Sequence, residues 1–218
     1  MNNIKMQLMV REEPEIKRKI NTLGDEHLEG KKVVMVTGHR PQHLWGFNFL
    51  REEYKALEKK IEEKMKELEV QVAITGMALG VDMMFAKIAL KLAQVETLIA
   101  AIPCAKQECK WSYESQTMYY EILKNEKTIP YYVSMEEYNG ITGRMLMQNR
   151  NKWMVDTTKK YKGDIIAVWK GTPGGTGNCV KYAESVGMKP ILIQPQNIEK
   201  ELQIKKPRKI NKEEDMSL

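Results

Sequence analysis

From Lys31 to Gln194, short apolar runs rich in β-branched residues alternate with longer stretches of helical periodicity. This alternation constrains the fold more than any other feature of the chain. The runs are KKVVMVTG from Lys31, VQVAITG at 70–76, TLIAAIP at 97–103, IPYYVS at 129–134, DIIAVW at 164–169 and KPILIQ at 189–194. Most are apolar at successive positions rather than at every second one, so both faces of each strand are expected to be covered. After the first run, Leu50, Tyr54, Leu57, Ile61, Met65 and Leu68 recur at steps of three or four, which is one stripe of an amphipathic helix. Further helices are expected over 78–93, 107–125 and 142–158 and from Cys179 onward. The pattern predicts an α/β fold, a Rossmann-like doubly wound domain whose mainly parallel sheet carries helices on both faces.

In sheets of this kind, ligands bind beyond the carboxyl ends of the strands. Three such ends are unusual here: TGHRPQHLWG at 37–46, TGMALGVD at 75–82 and GTPGGTGN at 171–178. Ordered glycine costs backbone entropy, so a cluster of it marks a place where side chains would obstruct something. Each cluster lies between a strand and a helix start, where backbone N–H groups and the helix dipole favour a phosphate or another oxyanion. The candidate ligand-binding residues are Gly38, His39 and Arg40 in the first segment, and Gly76, Gly80 and Asp82 in the second. The third contributes Gly174, Gly175, Thr176, Gly177 and Asn178. The chain has neither a G-x-x-x-x-G-K-[ST] loop nor a G-x-G-x-x-G after its first strand, which disfavours ordinary ATPase and dehydrogenase readings.

Single residues admit two readings each. Asp82 either satisfies free N–H groups in the first turn of its helix or accepts hydrogen bonds from ribose hydroxyls or serves as an acid. Arg40 is a phosphate contact or an exposed surface arginine. Trp111, in CKWSYES, could stack on a base or pack in the core. His39 and His43 are four apart, but Pro41 between them argues against a helix and no third ligand is evident, so no metal is expected. Cys179 is read as a packing residue, since no His or Asp partner is placed to make it a nucleophile.

A hydrophobic content of 42% and a charged content of 29% suit a substantial core, and the net charge of +6 points to an anionic partner. Residues 1–32 hold seven basic and six acidic side chains and residues 199–218 hold six and five, so neither end is a basic arm. Residues 1–29 are expected to be an N-terminal extension, 30–196 the Rossmann-like domain and 197–218 a flexible charged tail. The three cysteines fit no C-x-x-C pair and are expected as free thiols in a reducing compartment. No signal-peptide run and no apolar stretch near the roughly 20 residues of a membrane span are present, so a soluble, cytoplasmic protein is expected.

The segments VTGHRP, ITGMALGVD, RNKWMVD, DIIAVWKGTPGGTGN and GMKPILI resemble the SLOG superfamily of Rossmann-like proteins. That superfamily takes in the DNA-processing protein Smf/DprA and the LOG phosphoribohydrolases, and the similarity is greatest to its YpsA-like bacterial and phage group. The resemblance runs from about Lys32 to Gln194. Against the LOG pattern R-K-x-x-M followed by P-G-G-x-G-T-x-x-E, Arg150 and Met154 fit the first segment, and Pro173, Gly174, Gly175 and Gly177 fit the second. The resemblance implies that Arg150 holds a phosphate or polarises a ribose. The LOG threonine position is Asn178, however, and the LOG glutamate position is Lys181, which cannot do that glutamate's work in N-glycosidic cleavage. Glu184, one helical turn later, is the candidate substitute.

The expected function is binding of an ADP-ribose-like, NAD-like or signalling nucleotide, as sensor or sponge, without a bound cofactor and in a homo-oligomer, dimer or tetramer. The first alternative is a nucleoside or nucleotide N-glycosidase or deoxyribosyltransferase using Arg150 with Asp82 or Glu184. The second is DprA-like single-stranded DNA binding.

Overall fold

The structure, a computed structural model, describes residues 14–205. Six strands form one sheet: β1 (Val33–Gly38), β2 (Val72–Thr75), β3 (Thr97–Ile102), β4 (Thr128–Tyr132), β5 (Asp164–Val168) and β6 (Ile191–Ile193). Their order is β4-β3-β2-β1-β5-β6, and every neighbouring pair is parallel. The helices are α1 (Pro14–Lys17), α2 (Glu52–Glu67), α3 (Val81–Lys91), α4 (Tyr113–Lys124), α5 (Gly143–Lys160), α6 (Gly175–Ser185) and α7 (Pro195–Lys205).

Side chains that alternate along each strand divide the core into two layers. Val34 and Val36 of β1, Leu98 and Ala100 of β3 and Ile166 and Val168 of β5 face the layer built with α2, α3 and α4. Val33 and Met35, Ile99 and Ala101, and Ile165 face the opposite layer, where Met154 and Val155 of α5 and Cys179 and Ala183 of α6 close over them. The doubly wound α/β expectation is therefore met, and the chain reverses its winding direction between β1 and β5.

The helix over 107–125 is a correction. Lys106 takes a left-handed backbone (φ +62°), and the chain turns until Ser112, whose Oγ accepts from the N–H of Ser115 at 3.3 Å and starts α4.

Both ends are more integrated than their composition suggested. Ile16 is 2% exposed in the layer with α4, and Leu28 is 2% exposed in the opposite layer, so residues 16–28 pass from one face of the sheet to the other. On the way, Asn21 donates its N–H to Pro130 O at 2.9 Å and accepts from the N–H of Tyr132 at 2.7 Å. This covers the outer edge of β4, which otherwise offers a template for strand addition. Residues 14–29 are thus a clasp on the domain rather than a separate extension; residues 1–13 lie outside the described residues. The tail expected from residue 197 is likewise helical up to Lys205. In α7, Ile198 is fully buried, Glu199 accepts from Trp45 Nε1 at 2.7 Å and Glu201 pairs with Lys60 at 3.0 Å. Residues 206–218 lie outside the described residues.

Candidate functional site

A cleft of about 660 Å³ opens beyond the carboxyl ends of β1 and β5, at the point where the winding reverses. Its floor is Thr37, Gly38 and His39 at the end of β1. Ala78 and Asp82 come from the β2–α3 turn, and Thr172 to Thr176 with Asn178 form the wall on the α6 side. All three glycine-bearing turns thus meet at one rim. The opposite wall is α5, which contributes Arg144, Met147, Gln148, Arg150, Asn151 and Met154. These positions recur at helical spacing through Arg150, so the stripe could have been read from the sequence once Arg150 was assigned to the site.

The glycines divide into two kinds. Gly174 (φ +141°) and Gly175 have nothing within 4 Å of where a Cβ would stand, and both are exposed in the cleft at the start of α6. No side chain caps that helix. Its first N–H groups and the positive end of its dipole are therefore presented to whatever enters. The other candidate glycines, Gly38, Gly76, Gly80 and Gly177, make room for the protein itself. A Cβ on Gly38 would lie 2.4 Å from Val81 Cβ, so Gly38 lets α3 approach the strand. On Gly80 (φ +96°) it would meet His39 O at 2.8 Å, and on Gly177 it would meet Thr172 O at 2.9 Å. On Gly76 it would fall 1.2 Å from Arg150 Nη1, because the guanidinium lies directly over that glycine.

Arg150 and Asp82 are 5% and 6% exposed and form an ion pair of 3.4 Å, Nη1 to Oδ2. Asp82 Oδ2 also accepts from the N–H of Ala78 at 3.3 Å, and the main-chain oxygen of Asp82 accepts from Thr75 Oγ1 at 2.9 Å. Asp82 therefore braces the β2–α3 turn and also borders the cleft. Burial raises its pKa against the opposing effects of Arg150 and the Ala78 amide. Burial lowers that of Arg150 against the pull of Asp82, but a guanidinium starts so high that it stays charged. Arg150 Nε is buried without a hydrogen-bond partner.

Arg40 and Arg144 are exposed at the cleft mouth, and among the described residues neither is paired with a carboxylate. Asp82 is the one carboxylate among the lining residues and is already engaged by Arg150. The cleft therefore carries an excess of positive charge, to which the α6 dipole adds.

His39 is 6% exposed, and its Nε2 accepts from the N–H of Lys170 at 3.1 Å, so a neutral ring carries its proton on Nδ1. Burial, then His43 and Lys170, hold its pKa below the ordinary value. The unfolded chain then binds a proton at His39 more readily than the fold does, so acidification through and below about pH 6.5 removes stability. Chemical denaturation at pH 7.5 and 5.5 should show a smaller acid loss for His39→Gln than for the wild type. Equal losses would mean that His39 titrates alike in both states.

Other assignments are resolved by position. Trp111 does not line this cleft: it packs edge-to-face on Tyr119, centroids 5.6 Å apart, and borders a neighbouring hollow. Glu184 and Lys181 are exposed on α6 and do not line the cleft, which removes the structural basis for Glu184 as a substitute acid. Trp153 stacks on Tyr131 at 4.3 Å, and Trp169 Nε1 donates to Thr172 O at 2.7 Å, bracing the glycine loop. Cys179 is 2% exposed, and burial pushes its thiol up to about 11, so it is not a thiolate at neutral pH. Among the described residues there is no group of three or more His, Cys, Asp or Glu that could hold a metal, and no helix is long and apolar enough to cross a membrane.

A family model described as the YspA SLOG family matches residues 34–165. The uncharacterized SPbeta prophage-derived protein YoqJ of Bacillus subtilis (strain 168) is 35% identical over 94 residues, 39% of this chain and 52% of the relative. The chain thus aligns with about half the length of that curated relative. Among solved structures, DNA processing protein A from Streptococcus pneumoniae is similar at 17% identity and a TM-score of 0.44, over 84% of this chain and 64% of that one. DNA processing protein A from Helicobacter pylori, solved for its single-stranded DNA binding mode, is similar at 16% identity and a TM-score of 0.42, over 83% and 85%.

Proposed function

The chain belongs to the YspA SLOG family, and on that premise we propose that it binds a nucleotide or nucleotide sugar of the ADP-ribose or NAD type in the cleft between α5 and α6. The observation that carries this reading is the pairing of open backbone with uncompensated charge. Gly174 and Gly175 leave the start of α6 bare, and Arg40 and Arg144 face the same space. A phosphate there accepts from backbone N–H groups and is neutralised by guanidinium groups. Thr37, Gln148, Asn151 and Asn178 supply neutral polar groups along the walls for sugar hydroxyls.

Binding is favoured over bond cleavage by the state of Asp82, the one acid among the described residues that line the cleft. Asp82 is held by Arg150 and the Ala78 amide, and a carboxylate so engaged is a poor proton donor or base. The role that fits is that of a sensor or a sink for the ligand.

Titration calorimetry with ADP-ribose, NAD and their cyclic relatives tests binding, and release of free base from the same compounds tests turnover. Saturable binding without base release is expected. A ligand at a hundred times its Kd stabilises a folded chain by about 2.7 kcal/mol, which raises the melting temperature by about 5 °C or more for a protein of this size. If no compound of the panel gives heat or moves the melting temperature, the reading is wrong. If base is released and Asp82→Asn abolishes the release, the protein is an N-glycosidase instead.

A further inference from the structure

Beside the anion cleft lies a second hollow of about 420 Å³. The two share Arg40, Gln42, Arg144 and Met147 in their linings, so they are lobes of one depression with two arginines at the waist. The chemistry of the second lobe differs from that of the first. Phe47, Trp111, Tyr138 and Leu79 give it aromatic and aliphatic walls, Lys110 adds a cation, and no carboxylate is among its lining residues.

Its aromatic walls are built rather than incidental. Trp111 is held edge-to-face on Tyr119, which is 1% exposed, and its main-chain N–H donates to Glu108 O at 2.9 Å. The Tyr138 ring lies against the first residue of α5, where a Cβ on Gly143 would come within 2.6 Å of Tyr138 Cε2, so glycine at that position is what seats the ring. Lys110 Nζ stands 5.4 Å from the Tyr138 centroid. Phe47, by contrast, is 63% exposed, a large apolar ring left facing water at the lip of the hollow.

A flat, uncharged aromatic group attached to an anion suits these surroundings, since it buries its faces on rings while its phosphate meets the arginines. We infer that the second lobe is a nucleobase subsite, so that the ligand spans both lobes. Its base lies among Trp111, Phe47 and Tyr138, its linking phosphate sits at Arg40 and Arg144, and its far phosphate or ribose lies against Gly174 and Gly175. The inference rests on the anion-cleft reading and adds to it the place of the base, a lobe that a sugar phosphate alone would leave empty. It also returns Trp111 to the site, in the lobe next to the one where phosphate binds.

Calorimetry with ribose 5-phosphate, AMP and ADP-ribose on the wild type, Trp111→Ala and Phe47→Ser tests it. Phe47→Ser alters an exposed side chain and keeps the test valid if Trp111→Ala fails to fold. Both variants should bind AMP and ADP-ribose about tenfold more weakly, the loss of one stacking partner, and ribose 5-phosphate within about twofold of the wild type. Equal affinity of variant and wild type for AMP and ADP-ribose overturns the base subsite and leaves the anion cleft standing. An equal weakening of ribose 5-phosphate also overturns it, because the substitutions would then act on the first lobe. If the folded wild type binds none of the three compounds, the anion cleft itself is wrong and the subsite falls with it.

Discussion

Gly175→Glu is expected to fold at least as well as the wild type and to lose ligand affinity by about a hundredfold or more. Nothing lies within 4 Å of the added Cβ, and the position is the first residue of α6. There a carboxylate complements the helix dipole and should add about 0.3–1 kcal/mol of stability. The same carboxylate would occupy the space proposed for phosphate, and like charges brought together at a binding site cost several kcal/mol. Stability and binding should therefore move in opposite directions, a signature that general damage cannot imitate. Gly175→Ala is the milder companion, with the fold unchanged and a smaller loss of affinity. Melting temperature and calorimetry with ADP-ribose provide both measurements, and undiminished affinity in Gly175→Glu would show that the ligand does not approach the start of α6.

Arg150→Met should cost about 3–5 kcal/mol at neutral pH, because it leaves the buried Asp82 carboxylate without its counter-ion. The dependence on pH has a defined sign. Burial already raises the Asp82 pKa in the fold, and removing Arg150 takes away the largest effect opposing it. The folded variant then binds a proton at Asp82 more readily than the unfolded chain, whose carboxyl titrates near 3.9, so stability is retained at low pH and lost as pH rises through the folded pKa. Urea unfolding at pH 5 and pH 7.5 should show a smaller deficit relative to the wild type at pH 5. Joining Asp82→Leu to Arg150→Met should restore part of the loss, since two apolar groups replace a broken pair. Gly76→Ala should reproduce part of the single defect, as its Cβ would stand 1.2 Å from Arg150 Nη1 and displace the guanidinium. A deficit in Arg150→Met that does not change with pH would mean that the carboxylate is not the source of the cost.

The Arg150 and Gly76 pair illustrates how far the sequence could be read. Both residues stood out, Gly76 as a break after a strand and Arg150 through its resemblance to a known pattern, and both were assigned to a ligand. They lie 74 positions apart, and only the packing of α5 across the sheet reveals that one exists to accommodate the other. Gly38 with Val81 and Gly177 with Thr172 follow the same logic. A glycine required for close approach and a glycine open to a ligand look identical in a sequence, because the distinction lies in what occupies the space of the missing Cβ.

The two chain ends make a related point. Their mixed charges suggested solvated tails, but Ile16, Leu28 and Ile198 are isolated apolar anchors whose burial depends on partners far along the chain. Single anchors leave no periodicity to detect. Trp111, read as either a base-stacking or a core residue, packs on Tyr119 and lines the adjoining lobe rather than the glycine-bearing cleft.

The sequence by itself determined the alternation of strands and helices, the two-sided core and the clustering of the loops at the carboxyl edge. These follow from local periodicity and from the handedness of crossover connections, which act over a few tens of residues. Only the tertiary structure decided which glycines are open, which acid is engaged, and that the cleft continues into an aromatic lobe. Those properties depend on distances between side chains brought together from β1, α3, α5 and α6, and such distances are fixed by the packing of the whole domain rather than by any segment of it.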